Sequence, residues 1–228
     1  MSNKNLQNNE TSGKGAPKTR PGQPGGVRAR NREERIRNLS KAALELFLAR
    51  GIEPVTIDEI VDHCGVAKGT FYRYFDDKTH LVKVLLDPVE DAMKQALETC
   101  RNAVAQARDR AALIQAYQNL ALVLSQLILE NSDVACMYLQ ENRSPAVGAR
   151  EPICALSAVV LEESISLTRT AQEHGLQRAM EPSISARAVV GATESLILAS
   201  LNQSLTLPPV QVYATLITLV VDGIKAEN

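Results

Sequence analysis

The chain has 228 residues, 45% of them apolar, enough for one domain or two small ones with a sizeable core. Its net charge of −1 announces no nucleic-acid or membrane partner, and the longest nearly apolar stretch, Leu120–Leu129, falls short of the roughly 20 residues a bilayer span needs. Four separated cysteines without a C-x-x-C pair exclude a disulfide scaffold and a zinc ribbon, and no apolar leader opens the chain, so a cytoplasmic protein is expected.

Divided along the chain, the charge is uneven. Residues 1–32 carry seven basic side chains and one acid, net +6, while residues 81–228 are net −5. A basic head on an acidic body suggests nucleic-acid contact through one end, although a solvated tail has the same composition. Residues 1–30, rich in Asn, Gly, Pro, Lys and Arg without apolar periodicity, read as a flexible basic arm. A helix is expected from Asn31, a cap with Glu34 three residues on, to Gly51. Ile36, Leu39, Ala43, Leu46 and Phe47 give it one apolar face.

Thr56-Ile57-Asp58-Glu59 then forms a capping box, and Val55 with Ile60 a hydrophobic staple. Two helical turns fit before the tight turn at Gly65-Val66. A third short helix is expected over about 67–75, and Asp77 can cap a fourth starting at Lys78. Two short helices joined by a Gly-centred turn, with apolar Ile60, Cys64, Val66 and Phe71 about it, make a helix-turn-helix. The buried residues set the steep crossing and leave the outer face of the second helix free for a major groove. The spacing alone also fits small helical domains that bind no DNA.

Residues 33–81 resemble the DNA-binding domain of the TetR family of bacterial transcription regulators. The resemblance rests on the pattern G-V-x-K-G-T-x-Y-x-x-F-x-x-K-x-x-L, matched by Gly65, Val66, Lys68, Gly69, Thr70, Tyr72, Phe75, Lys78 and Leu81. It implies a DNA-binding set of Thr56, Lys68, Gly69, Thr70, Tyr72, Arg73 and Lys78. Thr70 would meet base edges or backbone; Lys68 and Gly69 would lie where a phosphate approaches. Tyr72, Lys78 and Thr56 would meet phosphates, while Arg73 is an exposed cation whose partner is open. Ala67 stands where many relatives carry a capping Ser, which costs about 1 kcal/mol of helix-start stability.

From Lys78 onward nothing alternates with period two. Helices are expected near 78–105 (kinked or broken at Pro88), 109–130, 133–141, 151–174, 183–204 and 208–225. The fold class is therefore all-α: an N-terminal three-helix helix-turn-helix domain and a helical ligand-binding and dimerisation domain, about nine helices in total. The division reads 1–30 arm, 31–77 DNA-binding domain and 78–228 body. Only Arg187, Glu194, Asp222 and Lys225 are charged in 183–225. The last helix is apolar around most of its circumference, so it must be covered on all sides. A two-fold homodimer through the last two helices follows, reading a near-palindromic DNA operator.

No Ser-His-Asp context, H-E-x-x-H, P-loop or G-x-G-x-x-G occurs, so no enzyme, cofactor or metal site is expected. The resemblance implies a small-molecule effector pocket between about 78 and 204, with Tyr117, Met137, Tyr138 and His174 as candidate residues. The expected function is a ligand-responsive repressor released from its operator by the effector. The alternatives are an activator, or a DNA-binding or interaction protein with no small-molecule effector.

Overall fold

A computed structural model describes residues 26–207, 211, 212 and 214–218. Among them every regular element is helical: α1 (Val27–Arg50), α2 (Ile57–Cys64), α3 (Lys68–Phe71), α4 (Lys78–Gln106), α5 (Arg110–Glu130), α6 (Ser132–Glu141), a 3-10 turn at Gly148–Arg150, α7 (Glu151–Glu173) and α8 (Pro182–Leu201). Residues 211, 212 and 214–218 are helical again. The rest of the helix expected over 208–225, and residues 1–25 of the expected arm, lie outside the described residues. The described residues divide into two units between Arg35 and Ile36.

Helix α1 begins four residues before the expected cap, so Asn31 lies inside it, and residues 27–30 are helical rather than part of an irregular arm. The capping box of α2 is formed as read: the Thr56 hydroxyl accepts from the Glu59 amide, and the Glu59 carboxylate accepts from the Thr56 amide at 2.8 Å. The staple residues Val55 and Ile60 are both fully buried. Gly65 ends α2 at φ 69°, a left-handed conformation that a side chain strains. Helix α3 is a single turn, shorter than expected. Ala67 supplies no side-chain cap, and the chain leaves the helix at Tyr72.

Helix α4 runs unbroken through Pro88. Asp109 caps α5, and Pro182 occupies the first turn of α8, where no N–H is needed. The main core joins Leu39, Phe47, Ile52, Ile60, Phe71 and Phe75 to Leu81, Leu86, Met137, Ile153 and Leu156. Each fully buried phenylalanine contributes roughly 2–3 kcal/mol by its removal from water. A second cluster, Cys100, Val104, Leu113, Ala116, Leu167 and Ala171, ties α4, α5 and α7 together farther along. Helix α4 packs against both α5 and α7, and α7 against α8.

By length and composition, α5 and α8 are each apolar enough to cross a membrane. The stretch Leu120–Leu129, interrupted by Ser125 and Gln126, is the middle of α5, and core helices of soluble proteins pass the same test. Their apolar residues are divided between two directions. Leu120, Leu124, Val189 and Ile197 line an internal cavity, whereas Leu122, Val123, Leu129 and Ile184 are exposed.

Candidate nucleic-acid interface and ligand cavity

The outer face of the helix-turn-helix holds the residues singled out in the sequence. Lys68, Gly69, Tyr72 and Arg73 are exposed, and Thr70 is half-buried. A Cβ added at Gly69 would meet nothing within 4 Å, so neither packing nor a left-handed backbone requires glycine there. Tyr72 is 52% exposed, with its ring edge-on to buried Phe71 at 5.5 Å. Lys68 pairs with Asp58 at 2.7 Å, and that contact raises its pKa.

Two of the expected phosphate contacts are engaged in holding the fold. The Thr56 hydroxyl both accepts from the Glu59 amide and donates to the Glu59 carboxylate. The Lys78 ammonium donates to three carbonyl oxygens, Ile52 at 2.8 Å and Glu53 and Val55 at 2.9 Å each. An ammonium has three protons, so all are used on the loop between α1 and α2. Burial lowers the Lys78 pKa.

That loop has a second anchor, which the sequence did not suggest. The buried Glu141, at the end of α6, accepts from the Ile52 amide at 2.9 Å and from Arg150 Nε at 2.6 Å. Gly51, at φ 82°, passes so close that an added Cβ would lie 2.9 Å from the Glu141 carboxylate.

The same α6 borders a cavity of about 230 Å³ among α4, α5, α6, α7, α8 and the helical residues Leu216 and Ile217. Its wall is mainly aliphatic, with Leu86, Val89 and Met93 from α4, Leu124 and Leu127 from α5, and Val160 and Leu167 from α7. Tyr117 and Tyr138 line it. Burial raises the pKa of both phenols, that of Tyr138 to about 12, so both hydroxyls are present as donors. Gln177 donates to the Tyr117 hydroxyl at 2.6 Å.

The other two candidates lie elsewhere. Met137 is fully buried in the main core, because one residue along α6 turns the side chain about 100° away from the cavity. His174 caps α7, exposed, with Nδ1 on the Thr170 carbonyl at 2.8 Å. Missed in the sequence were Gln177, Thr168, Ser164 and Glu194. The last carried a signal: it is one of four charged residues in the otherwise apolar stretch 183–225.

Comparison with known proteins agrees with this geometry. The family model described as "Bacterial regulatory proteins, tetR family" matches residues 39–85, from α1 into α4. The transcriptional activator FasR of Mycolicibacterium smegmatis is 38% identical over 82 residues, 33% of this chain and 37% of FasR. Such curated relatives are thus matched over little more than a third of their length. Among solved structures, NalD, the secondary repressor of the MexAB-OprM multidrug efflux pump in Pseudomonas aeruginosa, superposes with a TM-score of 0.66. It is 22% identical, over 86% of this chain and 98% of NalD. FadR of Bacillus subtilis, solved in complex with stearoyl-CoA, gives 0.60 at 18% identity, over 82% and 98% of the two chains. At these identities the structural likeness speaks for the fold, and the helix-turn-helix match for the kind of protein. With its G-V-x-K-G-T-x-Y segment inside the matched region, the helix-turn-helix domain at residues 39–85 belongs to the tetR family of bacterial regulatory proteins.

Proposed function

We propose that this chain is a cytoplasmic, ligand-responsive transcriptional regulator that binds a near-palindromic operator as a homodimer and releases it when a small apolar molecule fills the cavity. Residues 31–77 act as the reader and residues 78–228 as the sensing and dimerising body. The observation that carries the reading is the exposed face formed by Gly69, Tyr72 and Arg73 beside half-buried Thr70, where nothing in the packing calls for a glycine at 69. Arg28, Arg30 and Arg32, all exposed on α1, add positive charge. Lys78 and Thr56 serve DNA chiefly by holding the loop and α2 in position.

Coupling runs through two helices. Helix α4 starts at Lys78, beside the reader, and lines the cavity from Leu86 to Leu97. Helix α6 lines it with Tyr138 and, one turn later, grips the Ile52 amide through Glu141. A ligand that prefers one setting of these helices shifts the spacing of the two readers. Dimerisation is supported by α8, where Ile184, Ala188 and Ser195 are exposed on an apolar helix. The aliphatic wall suits an apolar effector, and stearoyl-CoA in the FadR complex is one precedent for a ligand with a long apolar part. Repression is the proposed sign; FasR, named an activator, is the precedent for the opposite one.

The test is fluorescence anisotropy on DNA from the promoter adjoining its gene, across a salt series. A complex whose affinity falls steeply with salt, and is lost in Tyr72→Ala with Arg73→Ala, supports the reading. A salt-insensitive complex, or one indifferent to that pair, refutes it. Sizing at micromolar concentration should give a dimer; a monomer overturns the assembly.

A further inference from the structure

The cavity wall is electrostatically one-sided. Among the described residues that line it there is no Lys, Arg or His, and one carboxylate, Glu194 on α8. That side chain is only 15% exposed. Its Oε1 accepts from Asn142 Nδ2 at 2.8 Å and from the Tyr138 hydroxyl at 3.2 Å. Its Oε2 faces Arg143 at 4.0 Å, too long for a hydrogen bond, and Arg143 is itself 68% exposed. A carboxylate has about four acceptor positions, so Oε2 retains capacity while Oε1 is held in place.

Taking a carboxylate out of water into an aliphatic wall is unfavourable unless a donor or cation meets it. Arg143 meets it weakly, because solvent screens an exposed guanidinium at that distance. A ligand with an apolar body and an ammonium head would complete the site. A ligand with a carboxylate head would bring a second negative charge to a wall whose described residues offer no cation.

We propose that the cavity selects small lipophilic amines, with Glu194 receiving the ammonium group and the aliphatic wall receiving the hydrocarbon. The proposal rests on the effector reading above and names its ligand class. The hydrogen bonds from Tyr138 and Asn142 fix the carboxylate, so the head group is placed against α6 and α8 together.

The test compares three eight-carbon probes, octylamine, octanol and octanoate, by calorimetric titration of the full chain. Octylamine should bind at least about tenfold more tightly than octanoate, the usual scale of a charge-assisted hydrogen bond. Glu194→Gln should remove that preference, because the amide carries no charge to attract the ammonium. Octanoate binding as tightly as octylamine overturns the proposal, as does a Glu194→Gln chain with the original ranking. Binding of octanol or octanoate alone, with release of DNA, removes this inference and leaves the effector reading standing. No binding by any of the three removes both. Should Glu194→Gln not fold, the ranking in the unaltered chain decides.

Discussion

The carboxylate of Glu141 accepts a hydrogen bond from the main-chain amide of Ile52, 89 positions earlier, at 2.9 Å. Both residues are buried. The bond joins the end of a cavity-lining helix to the loop that sets α1 against α2. Glu141→Ala would leave the Ile52 amide without its partner and Arg150 without its carboxylate. Breaking such a buried pair costs about 3 kcal/mol, read as a lower midpoint in a urea melt. Glu141→Gln keeps an acceptor for Ile52 but turns an amide toward Arg150, and should fall between. An unchanged melt for Glu141→Ala would show that the loop is held without it.

Lys78 is the second anchor of the same loop. Replacing it with Ala removes three hydrogen bonds from a charged donor, worth about 2 kcal/mol together. Lys78→Arg should recover only part, because a planar guanidinium cannot converge on three carbonyls as an ammonium does. Tyr72→Ala, at an exposed site, should stay within about 0.5 kcal/mol of the parent. Melts without DNA therefore separate the two residues: DNA binding lost at Tyr72 reports contact, and DNA binding lost at Lys78 reports mainly architecture.

What the sequence made legible follows from the range of the interactions involved. The α2 start needed four consecutive residues, Thr56 to Glu59, and its end one glycine. All act within a turn or two, so spacing sufficed. The arm boundary was misjudged because Asn31 is an acceptable cap that nothing forces to be used; the helix simply continues back to Val27. The cavity draws on α4 to α8 and on the helical residues Leu216 and Ile217, and no local pattern tells which face of α6 turns inward. Tyr138 and Met137 are adjacent in sequence and both belong to the main core, yet only Tyr138 also lines the cavity. The role of Lys78 was hidden for the same reason: its partners lie 23 to 26 positions away. Glu194 could have been singled out from charge alone, as an isolated acid in an apolar stretch.

The capping box has a pH signature. The Arg50 guanidinium beside Glu59, with the Thr56 amide and hydroxyl, lowers its pKa from 4.5 to about 2. A carboxylate depressed in the folded state contributes stability above its unfolded pKa and loses it as pH falls through the folded one. The cap should hold at neutral pH, weaken below about pH 4.5 and be lost near pH 2. Carbon-detected NMR of the Glu59 carboxyl would read the midpoint directly. In Arg50→Ala that midpoint should rise toward the ordinary value, since the largest cause is gone. A midpoint already near 4.5 in the parent would mean the box does not persist in solution.

Cavity volume can be removed without touching the reader. Ala121, on α5, lines the wall, and Ala121→Phe projects a ring into the space. Because the site is a cavity rather than packed core, the overpacking penalty should stay near the low end of its range of about 1–3 kcal/mol. DNA affinity should remain within about threefold of the parent, because no contact to the loop at Ile52 changes. Response to any effector should disappear, giving a chain that stays on its operator. Anisotropy with and without the most effective octyl probe makes the comparison. Undiminished release from DNA in Ala121→Phe would place effector binding outside this cavity, and would detach Tyr138 and Glu141 from the coupling argued for α6.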